Sequence, residues 1–139
     1  MLTIPFRLSR GSTDPATFVY TVTKVNGLIG MDEDGLALQF REKITQTGAW
    51  PAREPTESGL QVMHIPLGAL RRAVLRRGWF HTKLVLAAAD LRAFEPLRSW
   101  LSGSGELALT IPRAERAAAA DLASSIELAL STRLLSHGG

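Results

Sequence analysis

The side chains that could do chemistry in this 139-residue chain fall into four groups. The largest is basic: Arg71, Arg72, Arg76, Arg77, His81 and Lys83, with Trp79 and Phe80 among them. Clustered cations beside an aromatic ring suit phosphates, an anionic lipid surface or an acidic protein. The alternative is a solvated hairpin whose arginines discourage edge-to-edge pairing. The second group is the histidines. His64 and His81 fall on different strands with no third ligand in pattern, and His137 stands near the end of the chain, so metal chemistry is not expected. The third is Asp32-Glu33-Asp34-Gly35, three close carboxylates that could hold a cation. The terminal Glu and flanking helices of a calcium loop are missing, so a solvated hairpin turn is expected. The fourth is Asp90 with Glu95, a carboxylate pair for acid–base work with no cleft to serve it. There is no nucleophile elbow and no Gly-rich phosphate loop after a strand. The absence of Cys excludes disulfides, thiolate zinc and a cysteine nucleophile. The expectation is a chain with no catalytic residues, no metal and no cofactor.

Length and composition bound what can position these groups. The chain has the size of one domain, residues 1–139, able to bury a core without cross-links. With 45% hydrophobic and 21% charged residues it is not expected to be disordered. A net charge of +3 permits anionic partners without demanding them, since arginine stems also cover apolar neighbours. The N-terminus lacks the pattern of a signal peptide and no apolar run has the length of a membrane span, so a cytoplasmic setting is expected.

The chain ends in the element that the strands need. Glu106 to Ile111 alternates as a strand, Pro112 stops it, and Arg113 onward is rich in helix formers. Leu122, Ile126, Leu130 and Leu134 recur every fourth residue beside Ala119 and Ala123, one apolar ridge for covering a sheet. On the far side Leu128 and Leu135, with Ala117, form a minor apolar group suited to a partner or a second copy.

Before the helix the pattern is mostly period two. Leu2 to Leu8 alternates, with Pro5 suggesting an edge. Ser9 to Pro15 reads as a loop, Phe18 to Val25 as a strand, and Asn26-Gly27 as a bulge, since the apolar pattern resumes at once. Leu36 to Ile44 follows the acidic turn. Residues 45–59 show no periodicity and read as a long loop in which Trp50 either grips a partner or folds back on the sheet. Leu60 to Leu67 is apolar on both faces, which predicts a central, covered strand. Leu70 to Leu75 and Trp79 to Ala88 make the basic hairpin. Asp90 predicts an N-cap for one short helical turn ending near Pro96.

A run of antiparallel strands closed by one amphipathic helix resembles the bacterial pleckstrin-homology-like (PH-like) superfamily. The segments that carry the likeness are Asp32-Glu33-Asp34-Gly35-Leu36-Ala37-Leu38, His64-Ile65-Pro66-Leu67-Gly68-Ala69-Leu70 and Trp79 to Leu86, and it covers roughly residues 17–135. It implies a mainly β fold: a partly open antiparallel barrel of two packed sheets, about seven strands, capped by one long C-terminal helix. A curved sheet gripping the helix around a ligand cavity is the second choice, because it needs helices between its first strands. Phosphoinositide-binding members use Lys and Arg around the first strand loop. Here Lys24 on one side and Arg41 and Lys43 on the other flank that loop, but the acidic Asp32–Asp34 turn lies between them and would repel phosphates, so that site is not expected. Three functional expectations follow in order. The first is a noncatalytic binding or assembly module acting through protein contacts or a homodimer, with Leu128, Leu135 and Trp50 at the interface. The second is a basic-surface module binding anionic lipid or nucleic acid through Arg71, Arg72, Arg76, Arg77, Trp79 and Lys83. The third is a small-molecule-binding or enzymatic domain.

Overall fold

The computed structural model describes residues 2–48 and 53–137. Among the described residues eight strands precede one long helix: β1 (Thr3–Thr13), β2 (Tyr20–Met31), β3 (Gly35–Thr47), β4 (Thr56–Glu57), β5 (Gln61–Pro66), β6 (Leu70–Arg77), β7 (Thr82–Ala88), β8 (Glu106–Ile111) and α1 (Arg116–His137). A 3₁₀ segment, Leu91–Trp100, joins β7 to β8. The architecture is therefore mainly antiparallel β with a C-terminal helix, as expected. The sheet is open rather than a closed barrel, and it runs β4-β3-β2-β1-β8-β7-β6, with β5 also on β3. The two sheets expected from the sequence are joined by hydrogen bonding into one. β1 meets β8 at a single registered pair, Arg7 opposite Thr110.

Alternation decides the faces. Ile4, Phe6 and Leu8, then Val25 and Ile29, Leu36, Leu38 and Phe40, and Leu107, Leu109 and Ile111 are buried on the inner face. α1 covers part of that face with Ala119, Leu122, Ala123, Ile126 and Leu130. The ridge stops there. Leu134 is 73% exposed, at the rim of a groove it shares with Leu67 and Leu70. The 3₁₀ segment covers another part with Phe94 and Leu97. Asp90 caps it by accepting from the Arg92 amide at 3.0 Å. It continues past Pro96 to Trp100 because the chain kinks at Leu97, giving two short pieces where one turn was expected.

Long-range pairing overrides local turn chemistry at three places. β1 runs on through Ser9–Thr13, where Ser, Gly and Thr suggested a loop, because those residues pair with Tyr20–Lys24 of β2. Arg10 holds this extension by stacking 4.1 Å from the Trp100 ring and donating to the Ser99 carbonyl at 2.9 Å. β3 likewise runs on to Thr47 against β2, and Thr56–Glu57 pairs back on Lys43–Ile44, so part of the expected long loop is sheet. Asn26-Gly27 makes no bulge, since β2 keeps regular register with both neighbours. Glycine stands at 27 because a Cβ there would meet the Gln39 carbonyl, Phe40 Cβ and the Phe6 ring.

β5 corrects another expectation. It is an edge strand, paired among the described residues only with β3. Met63 and Ile65 face the core, while Leu60 and Val62 lie exposed, so apolar residues on both faces did not mean cover on both. The opposite edge, β6, is protected: Glu127 of α1 accepts from the Ala73 amide at 3.1 Å.

The end of the helical ridge is open to test. Ile126→Ala empties a fully buried site and is expected to cost about 2–4 kcal/mol, whereas Leu134→Ala stays within about 0.5 kcal/mol. Urea unfolding of both variants measures this, and equal losses would show that the ridge extends to Leu134.

Candidate anion-binding cleft

Register places cations that lie far apart in sequence on one row. Arg41 is opposite Asn26, Asn26 opposite Arg7, Arg7 opposite Thr110, and Thr110 opposite Lys83. Directly paired residues share a face, so these five side chains line up across β3, β2, β1, β8 and β7 on the outer face. At about 4.8 Å per strand the row is about 19 Å long. Lys24 sits between Ser9 and Lys43 in a neighbouring row of the same face.

Among the described residues β1 and β8 share one registered pair, Arg7 with Thr110. Beside it lies a cleft of about 530 Å³ whose walls carry Arg7, Lys24, Lys83 and His81, with Asn26, Ser9 and Thr110 between them. A smaller cleft of about 140 Å³ shares Arg7 and His81 and continues to Trp79, Phe80, Arg113 and Arg116. No carboxylate lines either cleft. Among the described residues none of Arg7, Lys24, Arg41, Lys83, Arg113 and Arg116 has a carboxylate within 4.0 Å. The Nε of Arg116 is buried without an acceptor, a desolvation cost of about 1–3 kcal/mol. Cations lining a cleft without a carboxylate favour an anion electrostatically, while in the neighbouring row Glu57 stands opposite Lys43.

The basic hairpin does not act as one patch. A register irregularity lies between Leu70 and Arg72, at Arg71, which lines a different groove with Leu67, Leu130 and Arg133. Arg72 turns to Glu127 at 3.9 Å, and Arg76 to Glu106 at 3.6 Å. Arg77 lies exposed at the strand end opposite Thr82. Of the hairpin, Lys83 and His81 line the larger cleft, and Trp79, Phe80 and His81 the smaller one. Arg7, Arg113 and Arg116 were missed as site residues. Their only sequence signal was a cation on the polar side of a strand or beside a proline, which many solvated residues share.

The other candidates resolve into local structure. Leu128 and Leu135 are exposed on α1, as the far-side grouping predicted, and Trp50 lies outside the described residues. Asp90 is bonded by Arg92 and Glu95 by Arg98, so the two carboxylates serve separate arginines. The Arg92 side chain holds the Asp90 carboxyl below its usual range. Asp32 accepts from the Asp34 and Gly35 amides at 2.8 and 2.9 Å, closing the hairpin turn, and lies 3.5 Å from His64 Nε2. The Asp34 amide is the main cause of a lowered Asp32 pKa; desolvation opposes it, and Gly35 and His64 add to it. No cluster of three or more metal-ligating side chains occurs among the described residues. No helix among them is long and apolar enough to cross a membrane.

Comparison with protein-family models, curated proteins and solved structures gives no match for this chain.

The Asp32 turn makes a pH prediction. A carboxyl whose folded pKa is depressed adds stability above its ordinary pKa, and that stability disappears as pH falls through the folded value. Asp32→Asn keeps an acceptor but cannot titrate. Between about pH 5 and pH 2 the wild type should lose more unfolding free energy than the variant. Denaturant titrations across that range check it, and parallel acid limbs would contradict it.

Proposed function

We propose that the chain is a noncatalytic binding module, of the bacterial PH-like layout and cytoplasmic, that takes an anionic partner on the outer face of its sheet. The observation that carries this reading is the registered row Arg41–Asn26–Arg7–Thr110–Lys83, cations alternating with neutral hydrogen-bonding side chains, with no carboxylate in the cleft that all but Arg41 line. Buried arrays of acid, base and nucleophile support catalysis, whereas unpaired cations on a solvated sheet support electrostatic docking. The order of strands, the terminal helix and the acidic Asp32–Asp34 turn support the PH-like layout while moving the binding face away from that turn.

Heparin serves as a generic polyanion. Arg7→Glu with Lys83→Glu is expected to weaken heparin binding at least tenfold, roughly what losing two charge contacts costs at low salt. Arg71→Glu with Arg72→Glu, outside the cleft, is expected to change it less than about threefold. Calorimetry of the two double variants decides between cleft and hairpin, and the opposite ranking would overturn the assignment.

A second reading has its own observation. Leu128 and Leu135, seven residues apart and so on one side of α1, are each more than two-thirds exposed, at 69% and 80%. Large aliphatic side chains grouped in this way support self-association as a homodimer. Sedimentation equilibrium should then give a dimer mass that Leu128→Asp converts to a monomer, and a wild-type monomer at millimolar concentration would end this reading.

A further inference from the structure

The cleft has features that a generic anion does not need, and they specify its partner. We infer that the partner is a single-stranded nucleic acid whose phosphodiester chain crosses the sheet along the Arg41–Arg7–Lys83 row. This inference rests on the anion-binding reading above and names the ligand class for the same face.

Three observations carry it. The first is linearity. Arg41, Arg7 and Lys83 stand on every second strand, about 10 Å apart, so the positive charge forms a line perpendicular to the strands rather than a knot for one isolated phosphate. Asn26 and Thr110 fill the alternate places. They can hydrogen-bond to sugar and phosphate oxygens or to base edges without adding charge.

The second is recess. Arg7, Lys24 and Lys83 line the walls of a cleft. A flexible single strand can thread such a slot and reach its floor. A bilayer surface bridges it, and a rigid duplex spans its mouth, so both forfeit contacts that a strand makes.

The third is aromatic. Trp79 is 93% and Phe80 88% exposed at the β6–β7 tip, with no role in the core. Arg7 and His81 belong to both clefts, which makes the cationic row and the aromatic tip one continuous surface. Unpaired bases offer π-faces to such rings, and bases inside a duplex do not. A cationic track ending on exposed aromatic rings is the combination that binds single strands with little sequence preference.

The test is fluorescence anisotropy with a labelled mixed-sequence oligonucleotide of about twelve nucleotides, as DNA and as RNA. Competitors are the matching duplex, vesicles of phosphatidylcholine and phosphatidylserine, and polyglutamate. Contacts from Arg7, Lys24, Arg41 and Lys83 predict a log K against log salt slope of about −3, or about a 50-fold loss of affinity between 50 and 200 mM salt. Arg7→Gln with Lys83→Gln should reduce the slope to about half. Trp79→Ala with Phe80→Ala should weaken binding about tenfold and leave the slope unchanged, a pattern that a loss of folding does not produce. Circular dichroism melts confirm that both variants fold. Duplex or vesicles competing as well as the single strand overturn the inference, and so does an unchanged affinity in the aromatic variant. If the oligonucleotide fails to bind while heparin binds and is lost in the Arg7/Lys83 variant, the ligand class is wrong and the anion-binding face stands. If neither binds, both readings fall.

Discussion

A single bridge between β1 and β8, at Arg7 and Thr110, holds the two halves of the molecule in one sheet. On one side β1, β2 and β3 pair over their full lengths. On the other β8, β7 and β6 do the same. The sheet stays open because its end strands, β4 and β5 on one side and β6 on the other, do not pair with each other. The outer cleft lies beside the bridge, which also sets the register that brings Lys83 into line with Arg7. Core and binding surface thus depend on one junction.

An open sheet has two costs, an uncovered inner face and free edges. α1 and the 3₁₀ segment Leu91–Trp100 divide the first between them, Ile126 and Leu130 from one and Phe94 and Leu97 from the other. Glu127 then reaches from the covering helix to the Ala73 amide on the edge strand β6, and Arg72 stands beside it. A carboxylate on an edge amide satisfies a backbone donor and places charge where another chain could otherwise pair. At the opposite edge β5 keeps Val62 exposed and is limited by its length.

Much of this was legible in the residues. Period-two alternation identified the inward residues of β1, β3 and β8, and the spacing of Leu122, Ile126 and Leu130 identified the buried side of α1, because those signals are local. Leu134 misled because helical spacing does not record how far along the helix its neighbours pack. Ser9–Thr13 misled because its partner, Tyr20–Lys24, outweighs its turn chemistry. Gly27 resembled a bulge because glycine serves bulges and close approaches alike, and only the facing Phe6 and Phe40 distinguish the two. The site was legible only one residue at a time. Each cation could be read as outward-facing, but the pairing of Arg7 with Thr110 joins the two ends of the chain, and nothing local encodes it. Sequence proximity pointed instead to Arg71 through Arg77, which the irregularity at Arg71 and the acidic partners of Arg72 and Arg76 disperse.

The junction itself is the most direct point of test. In an isotope-labelled sample, nuclear Overhauser spectroscopy should show backbone cross-strand contacts between Arg7 and Thr110, alongside those between Arg7 and Asn26 and between Thr110 and Lys83. Their presence fixes the register that builds both the cleft and its row of cations. Contacts from Thr110 to a different residue of β1, or none between β1 and β8, would contradict the account.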